Sequence, residues 1–162
     1  MTLLFALVLD AAVADICRTR AIAAEPQAIW DVLADFGTIS AWTDNVDHSC
    51  LLGPAAEGVT VGTTRRVQTG RNTLVERITD FDPPNTLAYD IQGLPSQLRT
   101  VSNRWRLRPA ANGSTEVTLT STVEIGPRPF QQLAERVVSR LLAKQSDVML
   151  AGLANRLESS RA

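Results

Sequence analysis

The sequence has one histidine, His48, one tyrosine, Tyr89, and two cysteines, Cys17 and Cys50. The cysteines stand far apart, without CxxC spacing, so an ordinary zinc site would have to gather both of them, the histidine and a carboxylate. The reading is therefore no metal and no cofactor. Motifs for nucleophilic or phosphate chemistry are also missing: there is no GxSxG elbow, no HExxH and no glycine-rich phosphate loop. Charge of one sign is lacking too, because 16 basic and 17 acidic residues leave a formal charge of −1. A nucleic-acid binder needs a basic stripe to neutralise phosphates, so the reading is no nucleic acid. Lysine occurs once, as Lys144, the other basic residues being arginine; this fits codon usage in a GC-rich bacterial genome.

Long hydrophobic runs are absent as well. Residues 2–9 are apolar, but Asp10 ends the run, well short of the roughly 20 residues that span a bilayer. The run has neither the basic start nor the small-residue cleavage site of a secretory signal. The expectation is no integral membrane segment, a reducing cytoplasmic setting and free thiols. Residues 1–14 read as an apolar N-terminal extension, an exposed surface of a kind that can serve as a contact. Residues 15–160 read as one domain, since 162 residues with 44% hydrophobic and 20% charged content suit a single ordinary core.

What is present is a clear order of periodicities. Ile16 to Ala23 alternates and is rich in β-branched residues, predicting a first strand. Pro26 then suits the first turn of a helix, whose apolar face is Ile29, Trp30, Leu33 and Ala34 and which Gly37 closes. A short helical turn from Ile39 to Trp42 follows. Six strands come next: Val46–Leu52, Thr60–Gln68, Asn72–Phe81, Leu87–Gln92, Val101–Arg108 and Thr115–Ile125. The last two alternate cleanly. Val101, Asn103, Trp105 and Leu107 share one face, opposite Ser102, Arg104, Arg106 and Arg108. A hairpin at Asn112-Gly113 would set Arg106 or Arg108 across from Glu116, making the arginine row a solvated sheet face. Beyond Pro129 the period turns helical, with a broad stripe from Phe130 through Val137, Leu141 and Met149 to Leu157. A helix of nearly 30 residues is about 40 Å long and must cross the whole sheet.

The segments EPQAIWDVLADFGTISAW, VGTTRRVQTG, LVERITDFDPPNTLAYDI and NRWRLRPAANGSTEVTLTSTVEI resemble the polyketide cyclase/dehydrase branch of the START-like, or SRPBCC, superfamily. The resemblance runs from about Ile16 to Leu157. It implies an α+β helix-grip fold like that of the birch-pollen allergens, a curved antiparallel sheet of about seven strands around a long C-terminal helix. It also implies an internal cavity, with the Trp42, Asp44 and His48 region on one rim and the Gly93–Arg99 loop on the other. Members of that branch include aromatase/cyclases and carriers of hydrophobic ligands, and fold alone does not choose between them.

Residue patterning independently favours a cavity. Thr63, Arg65, Glu76, Asn103 and Ser121 are polar positions on inward strand faces, and Ala134 and Gly152 are small positions on the helix. Glu76, between Leu74 and Ile78, needs a partner if buried, and Arg65 on the neighbouring strand has the right parity. The ligand-binding candidates are Arg65, Glu76, Tyr89, Asn103, Trp105, Ser121 and Trp42. Weak catalytic candidates are Glu76 and His48, the latter because its free pKa lies near the physiological range. The leading expectation is a binder or carrier of a hydrophobic small molecule: a lipid, an isoprenoid or an aromatic, polyketide-type metabolite. A cyclase or dehydratase using the same cavity is the alternative. A protein-interaction module is a third reading, and a homodimer remains open.

Overall fold

A computed structural model describes residues 12–54, 56–96, 98–126 and 131–161, with side chains of the last helix described from residue 135 onward. The apolar extension before Ala12, and Phe130, Leu133 and Ala134 of the helical stripe, lie outside the described residues or side chains. The elements are β1 (Ala12–Ile22), α1 (Pro26–Ala34), a 3-10 turn (Phe36–Ala41), β2 (His48–Leu52), β3 (Thr64–Thr69), β4 (Asn72–Asp82), β5 (Thr86–Gln92), β6 (Leu98–Pro109), β7 (Thr115–Ile125) and α2 (Gln131–Ser159). The seven strands form one antiparallel sheet in the order β1-β7-β6-β5-β4-β3-β2.

Alternation decides which face each strand buries. In β6 and β7, Val101, Trp105, Leu107, Val117, Leu119 and Val123 turn inward and are each at most 3% exposed. The intervening Arg104, Arg106, Arg108 and Glu116 stand outside. The β6–β7 connection requires left-handed backbone, and Asn112 (φ 60°) and Gly113 (φ 67°) supply it. That turn sets Arg108 directly opposite Glu116, as the hairpin reading expects. Register shifts at Ile78/Asp80 and Leu98/Thr100 bend the sheet, which is how a sheet curves around a single helix.

Helix α1 begins at Pro26, where the missing N–H costs nothing, and buries Ile29, Trp30 and Leu33. It ends at Ala34, earlier than the Gly37 expected to close it. Gly37 instead lies inside the 3-10 turn, where a Cβ would sit 3.0 Å from Leu51 Cγ. Helix α2 lies over the inner face and contacts β1, β7 and α1. Its apolar stripe is narrower than the sequence suggests, since Val137 and Leu141 are 60% and 55% exposed. The core proper is completed by Leu150, Leu153, Ala154 and Leu157. Gly152 does not open space in the interior, contrary to expectation. A Cβ there would lie 2.1 Å from the Trp42 carbonyl oxygen, so the glycine lets α2 press directly onto that backbone.

Two strand starts differ by four residues from expectation, both for backbone reasons. β1 starts at Ala12, not Ile16, because it pairs with β7 along its full length, from Ala12↔Ile125 to Ile22↔Thr115. Residues Thr60–Thr63 form a turn, closed by Thr63 N–H on Thr60 O, before β3 begins at Thr64. Cys17 and Cys50 occupy the opposite edge strands β1 and β2, and both are free and exposed.

Candidate functional site

A cavity of about 570 Å³ lies between the sheet and the middle of α2. Its wall is largely aliphatic. Val67, Leu74, Ile91, Leu98 and Val101 come from the sheet, Leu94 from the β5–β6 segment, and Val138, Leu142 and Met149 from α2. Two deeply buried polar residues join them, Glu76 at 6% and Asn103 at 7% exposure. Asn45, Thr69, Asn72 and Gln145, more exposed, contribute further polar lining.

Glu76 and Arg65 are direct cross-strand partners on β4 and β3. Arg65 Nε donates to Glu76 Oε2 at 2.5 Å, and Arg65 Nη1 donates to the Phe36 carbonyl oxygen at 2.8 Å. The guanidinium carbon lies 3.9 Å from the Phe36 ring centre and 4.8 Å from that of Tyr89. Planar aromatic faces and a fork of donors suit a buried guanidinium, which is weakly hydrated and attracted to π clouds. Arg65 is 3% exposed and is not among the cavity's lining residues; its partner's carboxylate is. The cation thus sits behind and the anion in front.

A second polar chain crosses the sheet in one register row. Tyr89, Asn103 and Ser121 are successive partners on β5, β6 and β7. Ser121 Oγ donates to Asn103 Oδ1 at 2.7 Å, and Asn103 Nδ2 donates to Tyr89 Oη at 3.3 Å. Ser146 Oγ on α2 lies 3.4 Å from Ser121 Oγ, tying the row to the helix. The Tyr89 hydroxyl also feels the polar Trp105 side chain. Burial pushes its pKa above the ordinary 10.0, with the nearby Glu76 charge adding to the rise.

The structure therefore divides the candidate residues. Glu76 and Asn103 line the cavity. Arg65, Tyr89, Trp105 and Ser121 lie behind that wall and hold the two lining residues or pack the core. Trp42 packs edge-on against Trp105 at 6.2 Å, and its Nε1 is buried with no hydrogen-bond partner among the described residues. His48 is exposed on β2, on the sheet's outer side with Cys50, and lines no part of the cavity. The rim expected at Trp42, Asp44 and His48 is supplied by Asn45 and Val46 nearby, facing Gly93, Leu94, Pro95 and Leu98. Sequence reading missed Asn45, Gln145 and the aliphatic lining of α2, whose spacing signals a buried face without telling cavity wall from packed core.

A curved seven-stranded antiparallel sheet gripping one long helix over an apolar cavity defines the helix-grip class, shared by START proteins and birch-pollen-type allergens. Residues 14–158 match the family model described as polyketide cyclase/dehydrase and lipid transport, and the chain belongs to that family. Solved structures agree on the fold. The Zhui aromatase/cyclase from Streptomyces sp. R1128 aligns with TM-score 0.77 at 18% identity, covering 93% of this chain and 97% of that one. A START superfamily protein from Mycobacterium smegmatis aligns with TM-score 0.73 at 16% identity, covering 90% and 97%. Ara h 8.0201 aligns with TM-score 0.70 at 16% identity, covering 91% and 99%. No match was found among curated proteins.

Proposed function

We propose that this protein binds and carries a hydrophobic small molecule in the cavity between its sheet and α2. The observation that carries the reading is the cavity itself: about 570 Å³, walled mainly by aliphatic side chains, with two buried polar groups among them. That is the composition of a small-molecule site, where apolar enclosure supplies affinity and a few polar atoms fix orientation. The family's description, which joins cyclase chemistry to lipid transport, is consistent with such a ligand. A lipid, an isoprenoid and an aromatic, polyketide-type metabolite all have the necessary apolar body.

An enzymatic reading, cyclase or dehydratase, has one observation in its favour, the Glu76 carboxylate at the cavity wall, which can accept a proton from a bound keto compound. The carrier reading comes first because the other ionisable residues proposed for the site, Arg65, Tyr89 and His48, do not line the cavity.

Titration with N-phenyl-1-naphthylamine, a dye that brightens in apolar surroundings, tests the proposal. The wild type is expected to take up one dye per chain, and Leu142→Trp, which fills the cavity from α2, to lose uptake at least about tenfold while keeping its fold. Equal dye binding by both proteins would overturn the reading.

A further inference from the structure

The polarity of the Arg65–Glu76 pair says more about the ligand than the cavity's size does. Glu76 commits one oxygen, Oε2, to Arg65. Among the described residues the only fully buried side-chain polar atom without a partner is Trp42 Nε1, so Oε1 of Glu76 opens onto accessible space. Glu76 lines the cavity and Arg65 does not. Arg65 commits Nε to Glu76 and Nη1 to the Phe36 carbonyl, and its guanidinium plane packs against two aromatic faces outside the cavity lining. A ligand at this depth therefore meets an acceptor-only carboxylate and not the guanidinium. Asn103 adds a complementary point: Oδ1 accepts from Ser121, Nδ2 donates once to Tyr89, and an amide nitrogen carries two protons. One N–H of Asn103 thus remains for a ligand oxygen.

We infer that the cavity selects a neutral, hydroxylated apolar molecule, whose O–H donates to Glu76 Oε1, and rejects the carboxylate of the same carbon skeleton. The inference rests on the carrier reading and names its ligand chemistry. A hydroxyl donating to a carboxylate makes a charge-assisted hydrogen bond, stronger than a neutral one, and the surrounding aliphatic wall keeps water from competing. A ligand carboxylate brings a like charge to an oxygen that can only accept, with the nearest cation screened behind it. A bare hydrocarbon gains the same apolar burial and leaves Oε1 without a donor.

The experiment is calorimetric titration of the full chain at neutral pH with 2-naphthol, naphthalene and 2-naphthoate, which share one ring system. Naphthol is expected to bind about tenfold or more tighter than either of the others. Glu76→Gln should reduce the naphthol-over-naphthoate preference to about threefold or less. Because that variant strands Arg65 and can unfold, a wild-type measurement accompanies it: the carbon-13 resonance of the Glu76 carboxyl must move with naphthol and stay with naphthalene. Equal binding of all three probes, a preference for naphthoate, or a still carboxyl resonance overturns the hydroxyl inference and leaves the carrier reading standing. Binding of none of them overturns the carrier reading, and the inference with it.

Discussion

Arg65 and Glu76 face one another across β3 and β4 with Nε and Oε2 2.5 Å apart, and both are almost wholly buried. Desolvating two ions is costly, and their attraction offsets that cost only while both are present. Arg65→Met and Glu76→Leu alone are each expected to lower unfolding free energy by about 3–5 kcal/mol. The double variant should recover most of that loss, the residue being the unpaired Phe36 carbonyl, about 1–3 kcal/mol. Urea unfolding of the four proteins checks this. A double variant as unstable as the two single losses added together would contradict it.

Tyr89 gives an optical readout of the same interior, because it is the chain's one tyrosine. Its pKa is raised in the folded state above 10.0, first by burial and then by the Glu76 charge. A raised pKa means the folded state holds the proton more tightly than the unfolded state. The stability this confers is complete below pH 10 and is lost as pH rises from there through the folded-state value. The phenolate absorption band should therefore appear only above the ordinary tyrosine range, together with loss of structure. In Tyr89→Phe that part of the alkaline decline should vanish, at a cost of about 1–3 kcal/mol for the donor left on Asn103. Ordinary titration of Tyr89 in an intact fold would refute the assignment.

Gly152 offers a test of how α2 seats. In an exposed helix, glycine to alanine gains about 1 kcal/mol from backbone entropy. Here the added methyl would lie 2.1 Å from the Trp42 carbonyl oxygen and 3.1 Å from Thr43 Cα. Backbone cannot step aside as a side chain can, so Gly152→Ala should destabilise by about 1–3 kcal/mol. Thermal unfolding reads the sign directly. A raised melting temperature would show that α2 does not press onto this segment.

Much of the fold was legible because period-2 alternation in β6 and β7 and the switch to a helical period after Pro129 report directly on burial. The Arg65–Glu76 pairing was legible for the same reason, since parity places two residues on one face. Parity gives a face and not a depth, however. Tyr89, Trp105 and Ser121 share the inward face with Asn103, yet only Asn103 reaches the cavity, because the space opens toward β3, β4 and the β5–β6 segment. Gly152 read as a gap because sequence shows a missing side chain without showing the backbone that takes its place. The start of β1 was obscured because its length is set by pairing with β7, a long-range contact that local propensity does not encode.

The central claim is that the cavity holds an apolar ligand, and native mass spectrometry tests it most directly. Wild type and Leu142→Trp would each be incubated with a solvent extract of the host cells and sprayed intact. The account predicts a one-to-one, extractable adduct on the wild type and its loss from the filled variant. Bare protein in both spectra, or the same adduct on both, would contradict it.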